Sequence, residues 1–150
     1  MMNVRKVLKG LMASAVLVGI ASCGGGGGEG DGSSGGVLAP PPTGLQPTLA
    51  SIQDNVFTVA CATSGCHAGV SANFGLRLDP GFSYGTLINV PSPRDANLIR
   101  VVPGNPDASF LIQKLNGSQT LGERMPDGGP YLTTETVAVI RQWIADGALP

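Results

Sequence analysis

The chain has 150 residues, including 23 glycines, 12 prolines and a single histidine, a length that holds one domain of about a hundred residues with appendages and excludes a multidomain enzyme. Three of its nine basic residues, Arg5, Lys6 and Lys9, lie in a stretch that reads as a removable leader, leaving six basic against ten acidic side chains. That balance excludes nucleic acid as a partner, which needs clustered Lys and Arg, and one histidine excludes a zinc enzyme built on several.

The chain begins with those basic residues and an apolar run from Leu11 to Ala21, interrupted only by Ser14 and Gly19. The run has the length of a signal-peptide core and is too short to span a bilayer. It closes with Ile20-Ala21-Ser22-Cys23, which resembles the lipobox of bacterial lipoproteins. The resemblance implies a signal peptide over residues 1–22 and lipidation of Cys23 as the new first residue. The alternative is an ordinary secretory signal with an incidental cysteine. Gly24 follows Cys23, where an acidic residue often marks inner-membrane retention. The expected location is therefore outside the cytoplasm, with the protein lipid-anchored to the cell envelope, at the outer membrane facing the periplasm or the cell surface. Each buried acyl methylene contributes about 0.8 kcal/mol to such an anchor.

Residues 23–46 read as a lipidated Gly/Pro-rich tether. Glycine is concentrated from Gly24 to Gly36, and Pro40, Pro41 and Pro42 follow. Glycine loses too much backbone entropy on ordering, and proline lacks a donor, for this stretch to build a core. A phosphate-cradling loop is excluded because no strand precedes the glycines, no Lys-Ser or Lys-Thr pair closes them, and Glu29 and Asp31 would repel an anion.

Residues 47–150 form the expected domain, mostly α. Thr48 caps a first helix in which Leu49, Ile52, Val56 and Val59 recur at helical spacing, with Phe57 and Ala60 beside them. Asn73 to Pro91 reads as loop with a helical turn near Tyr84 to Asn89. Asn105-Pro106-Asp107 launches a helix over Ala108 to Leu115, with Phe110, Leu111 and Leu115 facing inward. The clearest helix is last: Thr133 as cap, Glu135 in the first turn, Val137, Ile140 and Ile144 on one stripe, Trp143 flanking it and Gly147 as the stop. No β-pattern of useful length is present. Long loops between short helices predict a buried filler, such as a cofactor.

The chemistry-bearing residues cluster after the first helix, in Cys61-Ala62-Thr63-Ser64-Gly65-Cys66-His67. Two cysteines, the second followed at once by histidine, form the arrangement of c-type haem attachment: the thiols add to the vinyl groups and the adjacent imidazole reaches the iron. The spacer here is four residues, Ala62 to Gly65, against the usual two. Cys61 then attaches with the extra residues looped out, or Cys66 holds the haem alone. The plain alternative is a disulfide between Cys61 and Cys66, as exported proteins commonly make. A soft Cu(I) site from Cys66, His67 and a methionine is a further reading. Once the leader is removed, Met125 is the sole methionine, 58 residues after His67 and just before Pro126. It lies among glycines and charged residues that read as a loop without a packing role, and its thioether suits the face of an iron opposite His67.

Assembled in order, these pieces resemble the planctomycete-type cytochrome c domain, a branch of the class I cytochrome c fold. The matching residues are Val56-Phe57 before Cys61, the Cys66-His67 pair, Gly75-Leu76-Arg77-Leu78-Asp79, Pro103-Gly104-Asn105-Pro106 leading to Ser109, Met125-Pro126, and Trp143-Ile144 with Gly147-Ala148. The resemblance implies a small cytochrome c-like fold of three or more short helices around one covalent haem c. It implies thioethers from Cys61 and Cys66, with His67 and Met125 as proximal and distal iron ligands. With both axial positions filled, the expected function is single-electron transfer between redox proteins of the cell envelope, not enzymatic catalysis. The competing expectation is a haem-free, disulfide-stapled lipoprotein that binds a ligand or partner.

Overall fold

The computed structural model describes residues 44–150. The predicted signal peptide, the Cys23 lipidation site and the tether before Gly44 lie outside the described residues. At the start of the domain, the Thr48 hydroxyl accepts a hydrogen bond from the Ser51 amide at 3.3 Å and caps helix α1 (Leu49–Ile52), as its sequence position predicts. The helix continues without a break into a π-wound segment, Gln53–Cys61, closed by the Ala62 amide donating to the Phe57 carbonyl five residues back at 2.7 Å. This wider winding corrects the expected apolar stripe. Ile52, Val56 and Phe57 are buried, but Val59 is 68% exposed, because a turn holding more residues no longer returns position 59 to the inner face.

The stretch expected as loop holds a 3₁₀ turn, Asn73–Gly75, and a short helix α2 (Ser83–Leu87), close to the turn predicted near Tyr84. The expectation of no strand is corrected by a small hairpin. Strand β1 (Pro91–Ser92) pairs antiparallel with β2 (Asp95–Ile99), Pro91 opposite Ile99 and Ser92 opposite Asp95, so β2 bulges between the two pairs. Prolines and Asp and Asn side chains depress local strand propensity here. The hairpin persists because its ends are tied elsewhere: the Val101 amide donates to Leu87 O at 3.1 Å and the Arg100 amide to Val90 O at 2.8 Å.

Helix α3 (Phe110–Asn116) starts later than Ala108. The Asn105 side chain does accept from the Ala108 amide at 3.1 Å, but it caps a separate turn. The Ser109 hydroxyl donates to Asn105 O at 2.8 Å and accepts from the Val102 amide at 2.9 Å, interrupting the run. Ile112 and Leu115 are the buried residues of α3, while Phe110 and Leu111, expected inside, are only half-buried. Helix α4 (Thr134–Ala145) follows its prediction closely: the Thr133 hydroxyl accepts from the Thr136 amide, and Val137, Ile140, Trp143 and Ile144 are buried. It stops at Gly147, whose φ of +100° suits glycine.

The result is an α-rich domain with one small two-stranded sheet around a single core of Ile52, Val56, Phe57, Leu87, Ile112, Ile140, Trp143, Ile144 and their neighbours. Among the described residues, no helix is long and apolar enough to cross a membrane. Ile140 has no exposed surface, so Ile140→Ala should cost about 2–5 kcal/mol in urea unfolding. Val59→Ala should stay within about 0.5 kcal/mol. Equal losses from the two would show that Val59 contributes to the core after all.

Candidate functional site

The π-wound segment ends on Cys61, and the four spacer residues turn the chain back upon it. The Cys66 amide donates to Thr63 O at 3.0 Å, and the His67 amide donates to Cys61 O at 3.2 Å. The longer spacer therefore folds into a closed turn that sets His67 against the end of the helix. Residues 73–78 run alongside: the Asn73 amide donates to Cys66 O at 2.9 Å and the Leu78 amide to His67 O at 2.8 Å. The His67 ring is fixed by the same neighbour, with Nδ1 lying 3.1 Å from Leu76 O. A carbonyl only accepts, so Nδ1 carries the proton and Nε2 keeps its lone pair.

Burial lowers the affinity of His67 for a proton, and the positive charges of Arg100 and Lys114 lower it further against the pull of the Leu76 carbonyl. The imidazole is thus held neutral, the form that binds a metal. The two thiols differ. Cys61 is half-buried against the core, and burial, with a smaller push from Cys66, raises its thiol to about 12. Cys66 is exposed, and no bond joins the two sulfurs in the described structure.

Met125 is half-buried and touches the hydrophobic core, contrary to its expected lack of a packing role. The folded loop lays it over the core by donating the Met125 amide to Lys114 O at 2.8 Å. Among the described residues no hydrogen bond joins Met125 to Cys61, Cys66 or His67. Nor do any three His, Cys, Asp or Glu side chains there gather closely enough to hold a metal ion by themselves.

Arg100 escapes the sequence reading. It is 8% exposed, and its guanidinium donates to Thr86 O at 2.7 Å, Phe74 O at 2.6 Å and Gly75 O at 3.3 Å. One side chain from the end of the hairpin thereby holds α2 and the segment that carries Leu76. The one available signal is its place between Leu98-Ile99 and Val101-Val102, a charged residue inside an apolar run. Gln53 braces the opposite side, donating to Leu78 O at 2.8 Å while the Ser83 hydroxyl donates to its amide oxygen. The Thr86 hydroxyl adds a bond to Arg77 O at 2.6 Å. Polar ties of this kind hold the long loop that was expected to need a filler. Asp79 closes it, accepting from the Gly69 amide at 2.8 Å and from Arg77 Nε at 2.6 Å.

Three apolar side chains near the Cys61–His67 turn point to solvent: Val59, Val70 and Phe74. Compared with known proteins, the chain matches no protein-family model, no curated protein and no solved structure.

Arg100→Leu would leave three carbonyls without their donor and should cost about 3 kcal/mol, with hydrogen exchange at Leu76 and Leu78 rising before exchange in α4. Uniform acceleration across the domain would show that Arg100 supports the fold generally, not this segment. The Arg77 hydrogen bond first, and then the Gly69 amide, hold the Asp79 carboxyl below its usual range. A depressed carboxylate contributes stability above the unfolded value near 3.8 and loses it as pH falls through the folded value. Acid should therefore loosen the 69–79 loop, read as faster exchange of the Gly69 amide, and Asp79→Asn should show the looser loop already at neutral pH.

Proposed function

We propose that the protein is a membrane-tethered c-type cytochrome that transfers single electrons between redox proteins of the cell envelope. The observation that carries this reading is the pairing of His67, its Nδ1 fixed on Leu76 O, with two free thiols in one closed turn. The donor set fits a haem: an imidazole nitrogen with its lone pair available, two cysteines and a thioether. It fits a direct zinc or copper cage less well, because the thiols and imidazole do not gather on one point.

Cys61 and Cys66 would hold the haem covalently, His67 would be the proximal ligand and Met125 the distal one. Bound there, the haem supplies reversible one-electron exchange at its iron. Leu76 O orients the imidazole and makes it a stronger donor. The Met125 sulfur is a soft ligand that favours the reduced state. Iron bound by both the His67 and Met125 side chains would keep no place for oxygen or a substrate, which supports the reading of a carrier over an enzyme. The exposed Val59, Val70 and Phe74 offer apolar contact to a redox partner, as exposed patches at transient interfaces do. A lipid on Cys23 and the Gly/Pro-rich segment after it would keep the domain near partners on the same membrane and raise its effective concentration.

The test is expression of the full chain in a host able to attach haem. The expected product has a Soret band that survives acid acetone, and His67→Ala should lose nearly all of the low-spin species, since the chain has no second histidine. Met125→Ala should lower the reduction potential and admit carbon monoxide to the ferrous form. A wild-type product without covalent haem overturns the reading and favours the haem-free binding module, while rapid carbon monoxide binding by wild type removes Met125 as a ligand.

A further inference from the structure

Helix α3 ends on carbonyls that must be satisfied from outside it, because the last four of any α-helix have no partner within. Here the chain runs on past the helix, turns and comes back to them. The Gly117 amide donates to Gln113 O at 3.1 Å, the Met125 amide to Lys114 O at 2.8 Å and Arg124 Nε to Leu115 O at 3.0 Å. Three successive carbonyls of the last turn are thus taken, two of them by the neighbours Arg124 and Met125. Gly117 permits the close approach: a Cβ there would lie 3.0 Å from Arg124 Cδ, and its φ of +85° suits glycine.

The guanidinium of Arg124 also lies over the ring of Tyr131, 4.1 Å from its centroid. Tyr131 leads directly into Leu132, which is buried in the core, and Thr133, the cap of α4. One side chain therefore closes the base of the loop formed by residues 125–130, joining its first flank to the end of α3 and its last to the entry of α4. Among the described residues the ion pairs are Arg77 with Asp79 and Arg141 with Asp107, so Arg124 is held by this carbonyl and this ring and not by a carboxylate. Met125, the first residue of the closed loop, is half-buried against the core.

We propose that Arg124 is the positioning residue for the Met125 thioether, a clamp that holds the distal ligand where an iron can meet it. The proposal rests on the electron-carrier reading above, which makes that thioether the distal ligand. A methionine side chain is unbranched, with three rotatable bonds, so its sulfur keeps one place only when its backbone is fixed. A stretch of glycines and prolines does not fix itself, and Arg124 does so from the adjacent residue. Lysine could not replace it, having no planar group that binds a carbonyl along one edge while stacking on a ring.

The test uses the full chain matured with haem and compares wild type, Arg124→Gln, Tyr131→Leu and Ile140→Val. It reads the weak ferric charge-transfer band that reports sulfur on iron, and the rate of carbon monoxide binding to the ferrous form. Losing one charge-assisted hydrogen bond is worth a factor of about ten or more, so Arg124→Gln should bind carbon monoxide at least about tenfold faster than wild type and lose most of the band. Tyr131→Leu should move both readouts the same way by less, and it carries the test if Arg124→Gln does not fold. Ile140, fully buried on α4, is the control: Ile140→Val lowers stability by lost packing and should leave both readouts at their wild-type values. Movement in the Arg124 or Tyr131 variant with none in Ile140→Val supports the clamp. A haem-loaded Arg124→Gln, or in its place Tyr131→Leu, that keeps the band and the wild-type rate overturns the clamp and leaves the electron-carrier reading intact, as does equal loss of the band in Ile140→Val. Rapid carbon monoxide binding by wild type removes Met125 as a ligand and the clamp with it. Failure of wild type to acquire haem overturns the electron-carrier reading and the clamp together.

Discussion

The domain depends on a buried arginine. Arg100 enters the interior without a carboxylate and gives its donors to the carbonyls of Phe74, Gly75 and Thr86. A guanidinium suits this task, since its planar fork can satisfy several fixed acceptors and it stays charged even where burial lowers its proton affinity. The chain around it is otherwise poor in regular structure. Between the π-wound segment and α3 there are only a 3₁₀ turn, a five-residue helix and a short bulged hairpin. Backbone groups that would find partners in helices or sheets in a richer fold find them here in side chains. Arg100 ties the hairpin to the loop, and Gln53 ties the loop to the first helix.

The position of His67 follows from that scaffold. Its ring is oriented by Leu76 O and its own carbonyl accepts from Leu78, so the imidazole is only as rigid as the 74–78 segment. That segment is in turn only as rigid as the Arg100 and Gln53 contacts on its two sides. The thiols are ordered differently. Cys61 belongs to a helix end set against the core, whereas Cys66 lies on the exposed part of the turn. A long spacer thus separates a sheltered thiol from an open one without displacing the histidine, because the His67 amide still returns to Cys61 O.

The parts of this arrangement that can be read locally are those governed by neighbours in the chain. Thr48 and Thr133 cap helices because a hydroxyl three residues ahead of a free amide does so almost regardless of surroundings. The stripe of α4 is legible because its winding is regular. Val59 misleads because the period assumed for it belongs to an α-helix, and nothing local announces the wider π turns. The hairpin is hidden for a related reason: Pro91, Pro93, Asp95 and Asn97 argue against strands, and its pairing is sustained by Leu87 and Val90 outside it. Met125 looks like a loop residue because its own neighbours in sequence are glycines and charged residues, while the core it touches is built by other segments.

By itself, then, the sequence determined the α-rich class, the first and last helices, the early Ser-Cys and later Cys-His motifs, and which residues carry thiol, imidazole and thioether groups. These follow from composition, short-range capping and side-chain chemistry, which do not require the chain to be folded. Only the tertiary structure decided that Arg100 is the central brace, that Leu76 O selects the tautomer of His67, and that the two thiols stay unbridged and unequal. Each of these joins residues between five and about thirty positions apart. Such contacts depend on which segments the packed core brings side by side, and no local pattern encodes that.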